Sequence, residues 1–415
     1  MQPKSYLVIG GGLVGAASAL RLQAAGFAVT LIDPGDPRRA ASFGNIGHIA
    51  AEQVSPLASG ESLRTFPGRL FGLGGPLDFR WRDAGLWGPW AMRFIAAADP
   101  ARHAAGQAAL TAILAHALPA WRRLADLSGA PDIVGREGHA VVWMSGRAAE
   151  KGLKGWERAA TGSAAFQSMS SDDLAPYGAV MSRAPVAGIR FSGTAQVSEP
   201  QAARDALMAA FGSHGGEVVH ARVARLSAGD HVTAHLDGGG LREADGALVA
   251  AGAWAGRLMR DLGVEAPVIG ERGYSVQSAE HGWDESLPPT VFEEHAMVVS
   301  RFTSGLRASS FVEFGSPDAS GDPRKWRDLE RRLGDLGVRF SPEPDRWVGP
   351  RPTLPDYLPA IGRLERDPRI LYAFGHQHLG LTMSAITAEL TASLARGEAP
   401  AIDLTPFRVE RFNRG

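Results

Sequence analysis

Arg351 sits in Gly349-Pro350-Arg351-Pro352, where two prolines stiffen the backbone under a guanidinium. A guanidinium on a stiff backbone suits bidentate capture of a carboxylate, and an arginine in a structural ion pair would read the same way. A second candidate stretch is Gly375-His376-Gln377-His378-Leu379-Gly380-Leu381-Thr382. In an extended loop His376 and His378 would point in opposite directions, and no carboxylate or cysteine cluster accompanies them, so no metal site is expected. His48, in Ala41-Ser42-Phe43-Gly44-Asn45-Ile46-Gly47-His48, reads as a hydrogen-bonding loop residue. The small and polar residues before it suit a loop laid against a flat ligand or a plain surface loop.

The element that must position these groups is N-terminal. Leu7 to Ile9 form an apolar strand, and Gly10, Gly12 and Gly15 follow at G-x-G-x-x-G spacing. At that spacing the first glycine permits a tight turn, the second lets a pyrophosphate approach backbone, and the third lets the helix pack closely on the strand. Leu13, Ala17, Leu20 and Ala24 mark one face of a helix that ends at Gly26, so its N-terminal amides point at the phosphates. A second strand, Ala28 to Ile32, ends at Asp33, 18 residues beyond Gly15. An acid there hydrogen-bonds a ribose hydroxyl, as in FAD or NAD, and disfavours the phosphate of NADP.

The chain has 415 residues, room for two domains, and a net charge of −1 from 43 basic and 44 acidic residues. That balance gives no sign of a nucleic-acid partner or of attraction to an anionic membrane. Cysteine is absent, which excludes disulfides, thiolate metal sites and a cysteine-linked flavin, and fits a cytoplasmic protein. No apolar run reaches the ~18 residues of a membrane span, and the apolar N-terminal residues belong to the first strand rather than to a signal peptide.

From about 55 to 185 the strand–helix alternation is lost, and Trp81, Trp87, Trp90, Trp121, Trp143 and Trp156 fall in this segment. They are expected to fill a second core, the alternative being a lid or a surface for a membrane or partner. Asp99-Pro100 starts a helical run to about Leu127, bent near Pro119. An α/β pattern returns with a helix from Pro200, a strand from Glu217 to Val223, a hairpin about Asp237-Gly238-Gly239-Gly240, and a strand from Gly246 to Ala251 that runs into Gly252-Ala253-Trp254. Strand-rich sequence follows from Tyr274, and Pro323 to Leu336 reads as a charged, exposed helix. The last apolar strand, Ile370 to Phe374, breaks at Gly375 and restarts as a helix whose amides could face the negative charge of a reduced flavin.

Taken in order, the N-terminal glycines with Asp33, Ser42 to Gly47, Ala250-Ala251-Gly252-Ala253-Trp254, Arg272-Gly273-Tyr274, Gly349-Pro350-Arg351-Pro352 and Gly375 to Thr382 resemble the FAD-dependent D-amino-acid oxidase and dehydrogenase family over nearly the whole chain. Gly47-His48-Ile49-Ala50 with Glu52-Gln53, and Glu271-Arg272-Gly273-Tyr274, are similar to the bacterial dehydrogenases of D-proline and cis-4-hydroxy-D-proline. The resemblance implies α/β architecture with an α+β insertion. A discontinuous Rossmann-like FAD-binding domain (1–55, 185–270 and 345–415) would join a mixed or antiparallel-sheet substrate domain (56–184 and 271–344).

It further implies that Gly10, Gly12, Gly15 and Asp33 hold the ADP half of FAD, that Ser42, Asn45, Gly47 and His48 border the ribityl chain and flavin, and that Val223 touches the adenine side. Gly252 and Gly375 would shape the cofactor loops, and Gly380, Leu381 and Thr382 would face flavin O2. Arg351 would pair with the substrate carboxylate, Tyr274 would be a second pocket contact, and His378, at a position where relatives differ, would face the reacting groups. The implied reaction is hydride transfer from the Cα of a D-amino acid to flavin N5, giving an imino acid, with electrons passing to oxygen, a quinone or a carrier. Glycine, sarcosine or another D-amino acid is the alternative substrate, a non-catalytic flavin-binding subunit the alternative role, and peripheral contact with the inner membrane would run through the aromatic segment.

Overall fold

The computed structural model describes residues 4–413. The apolar strands Ser5–Ile9, Ala28–Asp33, Gly246–Val249 and Ile370–Phe374 are the centre of a six-stranded sheet. Its spatial order is Glu217–His220, Ala28–Asp33, Ser5–Ile9, Gly246–Val249, Ile370–Phe374 and Ala360–Arg363, parallel except for the last strand. Parallel strands covered on both faces read as continuous apolar runs. Against one face pack Leu13–Ala24 and the C-terminal helix Gly380–Arg396. Ala16, Ala17 and Ala19 on the first and Ala385 and Ala388 on the second are fully buried, and these short side chains let the helices approach closely. The carboxyl ends of the four central strands therefore open together on one side, where ligands bind in such sheets.

The second large sheet has nine strands, with Asp345–Thr353 at one edge, then Ile269–Ser278, Gly305–Gly315, Met297–Phe302, Thr290–Phe292, Ala140–Trp143, Ala187–Ser192 and Ala165–Ser168. The strand Leu77–Phe79 adds to it beside Gly305–Gly315. Ala187–Ser192 and Asp345–Thr353 thus belong to this sheet, although the sequence boundaries put both in the cofactor-binding unit. Local alternation reveals a strand and not its partner. Asp345–Thr353 joins the two units at its far end, where Thr353 bridges His376.

Three other expectations change. The run from Pro100 is two helices, Pro100–Leu114 and Ala117–Leu127, and the break at Ala115 and His116 precedes Pro119. A proline ring clashes with the carbonyl four residues earlier, here that of Ala115, whereas a proline in a helix's first turn lacks only an amide that has no partner there. The strand expected from Glu217 to Val223 divides, Glu217–His220 staying in the six-stranded sheet and Val223–Ala228 turning into a three-stranded one. The charged helix Pro323–Asp335 is not exposed throughout, since Lys325 and Arg332 are buried. Of the tryptophans, Trp90, Trp121 and Trp143 are core residues, while Trp81 is 76% exposed.

Candidate active site

Where the central strands end, a cleft is lined by Gly10, Gly11, Gly12, Asp33, Ser42, Asn45, Val223, Gly252, Gly380 and Leu381, together with Arg351 and His378. Gly10 has φ +107°, and a Cβ on it would stand 2.5 Å from the Ala250 carbonyl oxygen. Gly15 does not line the cleft, and a Cβ there would run into Gly10, which keeps the helix tight on the strand. Gly12 differs from both, because nothing lies within 4 Å of the place a Cβ would take. It is the N-cap of a helix with no side-chain cap and no acid in its first turn. A phosphate laid there meets backbone amides and the positive helix end.

The Asp33 carboxylate is anchored beside this cradle, accepting from Gly11 N at 2.7 Å and Gly35 N at 2.8 Å. Each oxygen keeps a lone pair for a ribose hydroxyl. Arg204 donates to the Gly11 carbonyl at 2.6 Å, and Arg39 lies on another wall over the Trp254 ring. Both cations escaped the sequence reading, which had no glycine or proline to mark them. Open cradle, uncapped helix, anchored acid and flanking cations fit the ADP half of FAD.

A second cavity opens beside the first, lined by His48, Glu52, Gln53, His139, Val141, Trp156, Pro289, Val291, Val298 and Trp347. Asn45, Arg351 and His378 border both spaces, so the junction is where cofactor and substrate would meet. Arg351 Nη1 lies 3.3 Å from Glu271 Oε1 and from the Phe311 carbonyl, while its Nε and Nη2 have no partner among the described residues. Glu271 is 1% exposed and also accepts from Thr353 Oγ1 at 2.9 Å and Tyr357 OH at 3.1 Å. Gly273 makes room for the guanidinium, because a Cβ there would fall 2.6 Å from Arg351 Cζ. Glu271 pairs across the strands with Arg351, and side chains alternate along a strand, so Gly273 shares the face of Arg351.

The same alternation sends Tyr274 to the opposite face. It is fully buried and lines neither cavity, its hydroxyl donating to Glu313 at 3.2 Å and accepting from Asp322 N at 3.0 Å. Arg272 and Lys325 complete that network, in which Lys325 Nζ lies 2.6 Å from both Asp78 and Glu313. Tyr274 is therefore a structural residue, and the expected pocket contact is withdrawn.

His48 belongs to the second cavity rather than to the cofactor cleft. Its Nε2 donates to Glu52 Oε1 at 3.0 Å, and its ring meets His139 at 4.2 Å. The ligand-capable atoms of His48, Glu52 and His139 lie within 4.8 Å of one another. Burial alone would raise the Glu52 carboxyl, yet His48 and His139 hold it at about 2. Burial, reinforced by His48, pushes His139 down to about 3. Glu52 is four residues past His48, which a spacing argument could have caught, but His139 arrives through the fold. His378 Nε2 donates to Gln53 Oε1 at 2.7 Å, and burial lowers its pKa to about 4, leaving it neutral beside Arg351.

The remaining predicted residues shape loops. Gly47 takes φ +76° under an Asn45 side chain that accepts from its amide at 2.7 Å, and Gly375 takes φ +77° against Leu354. Thr382 Oγ1 accepts from Ala50 N at 3.0 Å and donates to the His48 carbonyl at 3.2 Å, tying the loop to the C-terminal helix. Buried Arg307, unmarked in sequence, donates to the Asn45 carbonyl at 2.6 Å and the Phe43 carbonyl at 3.2 Å. The uncapped N-terminus of Gly380–Arg396 presents Gly380 and Leu381 to the cleft, where Gln377 holds a positive φ of 47°.

Residues 5–394 match the family model described as FAD dependent oxidoreductase. A D-amino-acid oxidase of Bradyrhizobium diazoefficiens is 33% identical, covering 98% of each chain. D-amino acid dehydrogenase 2 of Mesorhizobium japonicum is 26% identical over 95% of this chain and 97% of its own. Among solved structures, an iminodiacetate oxidase from a Chelativorans species has a TM-score of 0.70 at 18% identity, covering 97% of this chain and 98% of its own. With its glycine cradle, anchored ribose acid and second uncapped helix, the chain belongs to the DAO family of FAD-dependent oxidoreductases.

Proposed function

We propose that this protein oxidises the Cα–N bond of a small D-amino acid to the imino acid. The observation that carries this reading is Arg351, which lines both cavities and whose Nη1 is tethered to Glu271 while Nε and Nη2 have no partner among the described residues. Two parallel N–H donors on an arginine that lines both cavities match a substrate carboxylate. The relatives' names supply the D-amino-acid class, and FAD, when bound, supplies the two-electron acceptor.

The residues of the chain do the positioning. Arg351 fixes the carboxylate, and Glu271, with Thr353 and Tyr357 behind it, fixes Arg351. Neutral His378 adds no second cation beside the substrate amine. The amine enters after losing one proton; as the Cα hydrogen departs with its electron pair the nitrogen lone pair closes the C=N bond, and loss of a second proton leaves the neutral imine. A primary imine then hydrolyses to a keto acid and ammonia, and a cyclic one remains a pyrroline carboxylate. Orientation supplies most of the protein's share of the rate, and the cofactor carries the redox chemistry.

Within this class, D-proline and cis-4-hydroxy-D-proline are the proposed substrates. Val141, Pro289, Val291 and Val298 offer an apolar wall for a ring, and the His48–Glu52 pair offers polar atoms for a ring hydroxyl. The proposed acceptor is a quinone or protein carrier, as in a dehydrogenase. The test is Arg351→Ala with flavin still bound. Anaerobic reduction by the prolines should slow by about a hundred- to several thousandfold in kcat/KM, the cost of leaving a charged group unpaired; unchanged kinetics would remove Arg351 from the site.

A further inference from the structure

We propose that residues 60–97 form a docking surface for an anionic lipid bilayer. Exposed large apolar side chains concentrate there: Leu63, Phe66, Leu73, Trp81, Leu86, Met92 and Ile95, of which Leu73, Trp81 and Met92 are 72%, 76% and 68% exposed. Outside this segment such exposure is recorded at Val186 and Leu241. An aromatic chain runs through it: Phe66 packs edge-on to Phe79 at 5.8 Å, Phe79 lies 5.0 Å from Trp87, and Trp87 meets Trp81 at 5.3 Å. The helix Ala84–Ala97 buries Trp90 alone and turns Leu86, Met92 and Ile95 outward. Soluble surfaces rarely gather so many large apolar groups without something to cover them.

Charge selects the occupant. Arg64, Arg69 and Arg82 are exposed between these side chains and form no ion pair among the described residues. Of the acids in the stretch, Asp78 is held by Lys325 and Asp83 by Arg80, which leaves Glu61. A balanced chain therefore carries a locally basic, apolar face. A two-fold contact between copies through this face would bring like arginines together, whereas an anionic headgroup layer neutralises them while the apolar tips enter the acyl boundary. The inner side of the same helix packs on the site: Trp90 Nε1 donates to the Thr353 carbonyl at 3.1 Å, and Phe94 meets Tyr357, which holds Glu271. Docking would set the catalytic unit against a membrane, where lipid-soluble electron acceptors reside.

The experiment is flotation of the purified, flavin-loaded protein with vesicles of phosphatidylcholine alone and of phosphatidylcholine with phosphatidylglycerol. We expect binding to the anionic vesicles, weakened by salt, with each arginine neutralised (Arg64→Gln, Arg82→Gln) lowering partitioning about fivefold. Met92→Asp with Ile95→Asp should abolish binding, while Val186→Asp with Leu241→Asp leaves it intact, and reduction of the flavin by substrate should be the same in all of them. The proposal is overturned if the wild type floats with neither vesicle, or if the Met92 and Ile95 variant floats as the wild type does. It is likewise overturned if light scattering shows a dimer that this variant splits, which would make the face a contact between copies.

Discussion

Replacing Gly273 by alanine isolates the role of Arg351 without touching it. Gly273 lies on an ordinary strand conformation, so alanine brings no backbone strain. Its Cβ would instead stand 2.3 Å from Arg351 Nη2 and 2.6 Å from Cζ, against the 3.4 Å at which ordinary contact begins. The guanidinium must retreat by about 1.1 Å at Nη2, and a misplacement near 1 Å in a positioning group costs about a hundredfold in rate. Because the atom that yields is the end of a flexible side chain, the fold should survive and the flavin should stay bound. Stopped-flow reduction under anaerobic conditions with D-proline should show kcat/KM down by about a hundredfold. In an Arg351→Ala background the same change should cost nothing further, since coupled residues are not additive. Wild-type kinetics in Gly273→Ala, or full additivity with Arg351→Ala, would refute the placement of the carboxylate at this arginine.

Gly12→Val should leave apoprotein melting near that of the wild type, because its side chain enters open space, and should weaken FAD about tenfold or more by filling the phosphate cradle; equilibrium titration with FAD decides. Gly15→Ala, whose Cβ would collide with Gly10, should instead lower the melting temperature of the apoprotein itself. Burial lowers His376 to about 3, so between pH 6.5 and 3 the unfolded chain holds a proton the folded chain refuses, and stability falls on acidification through that window. Between pH 7 and 5 its share is about 2 kcal/mol. Urea unfolding should show His376→Asn with a correspondingly flatter pH slope, and an identical slope would contradict the assignment.

The cofactor cleft was legible because glycines mark it. Gly10, Gly12 and Gly15 are required by backbone geometry, which depends on local sequence, and Asp33 follows at the end of the next strand. Arg351 stood out for a similar reason, its neighbouring prolines being local, and the fold brings it to the wall of the cleft. What failed was whatever depended on which strand meets which. Tyr274 and Gly273 are adjacent, yet one supports the core and the other makes room for Arg351, and only the pairing of Glu271 with Arg351 says which face is which. His139 and Glu52 are 87 positions apart, and Arg307 grips the loop at Asn45 from a strand of the other sheet. Long-range side-chain encounters of this kind leave no periodicity to read. The aromatic segment shows both outcomes at once, with Trp90 and Trp121 in the core and Trp81 on the surface.

The most direct test of the central claim is an anaerobic spectrum of the purified flavoprotein titrated with both enantiomers of proline, 4-hydroxyproline and a set of primary amino acids, followed by air. Bleaching of the flavin's visible band by D-amino acids, foremost the D-prolines, with slow recovery in air, is the expected result. A bound flavin that no amino acid of either configuration reduces would contradict the account.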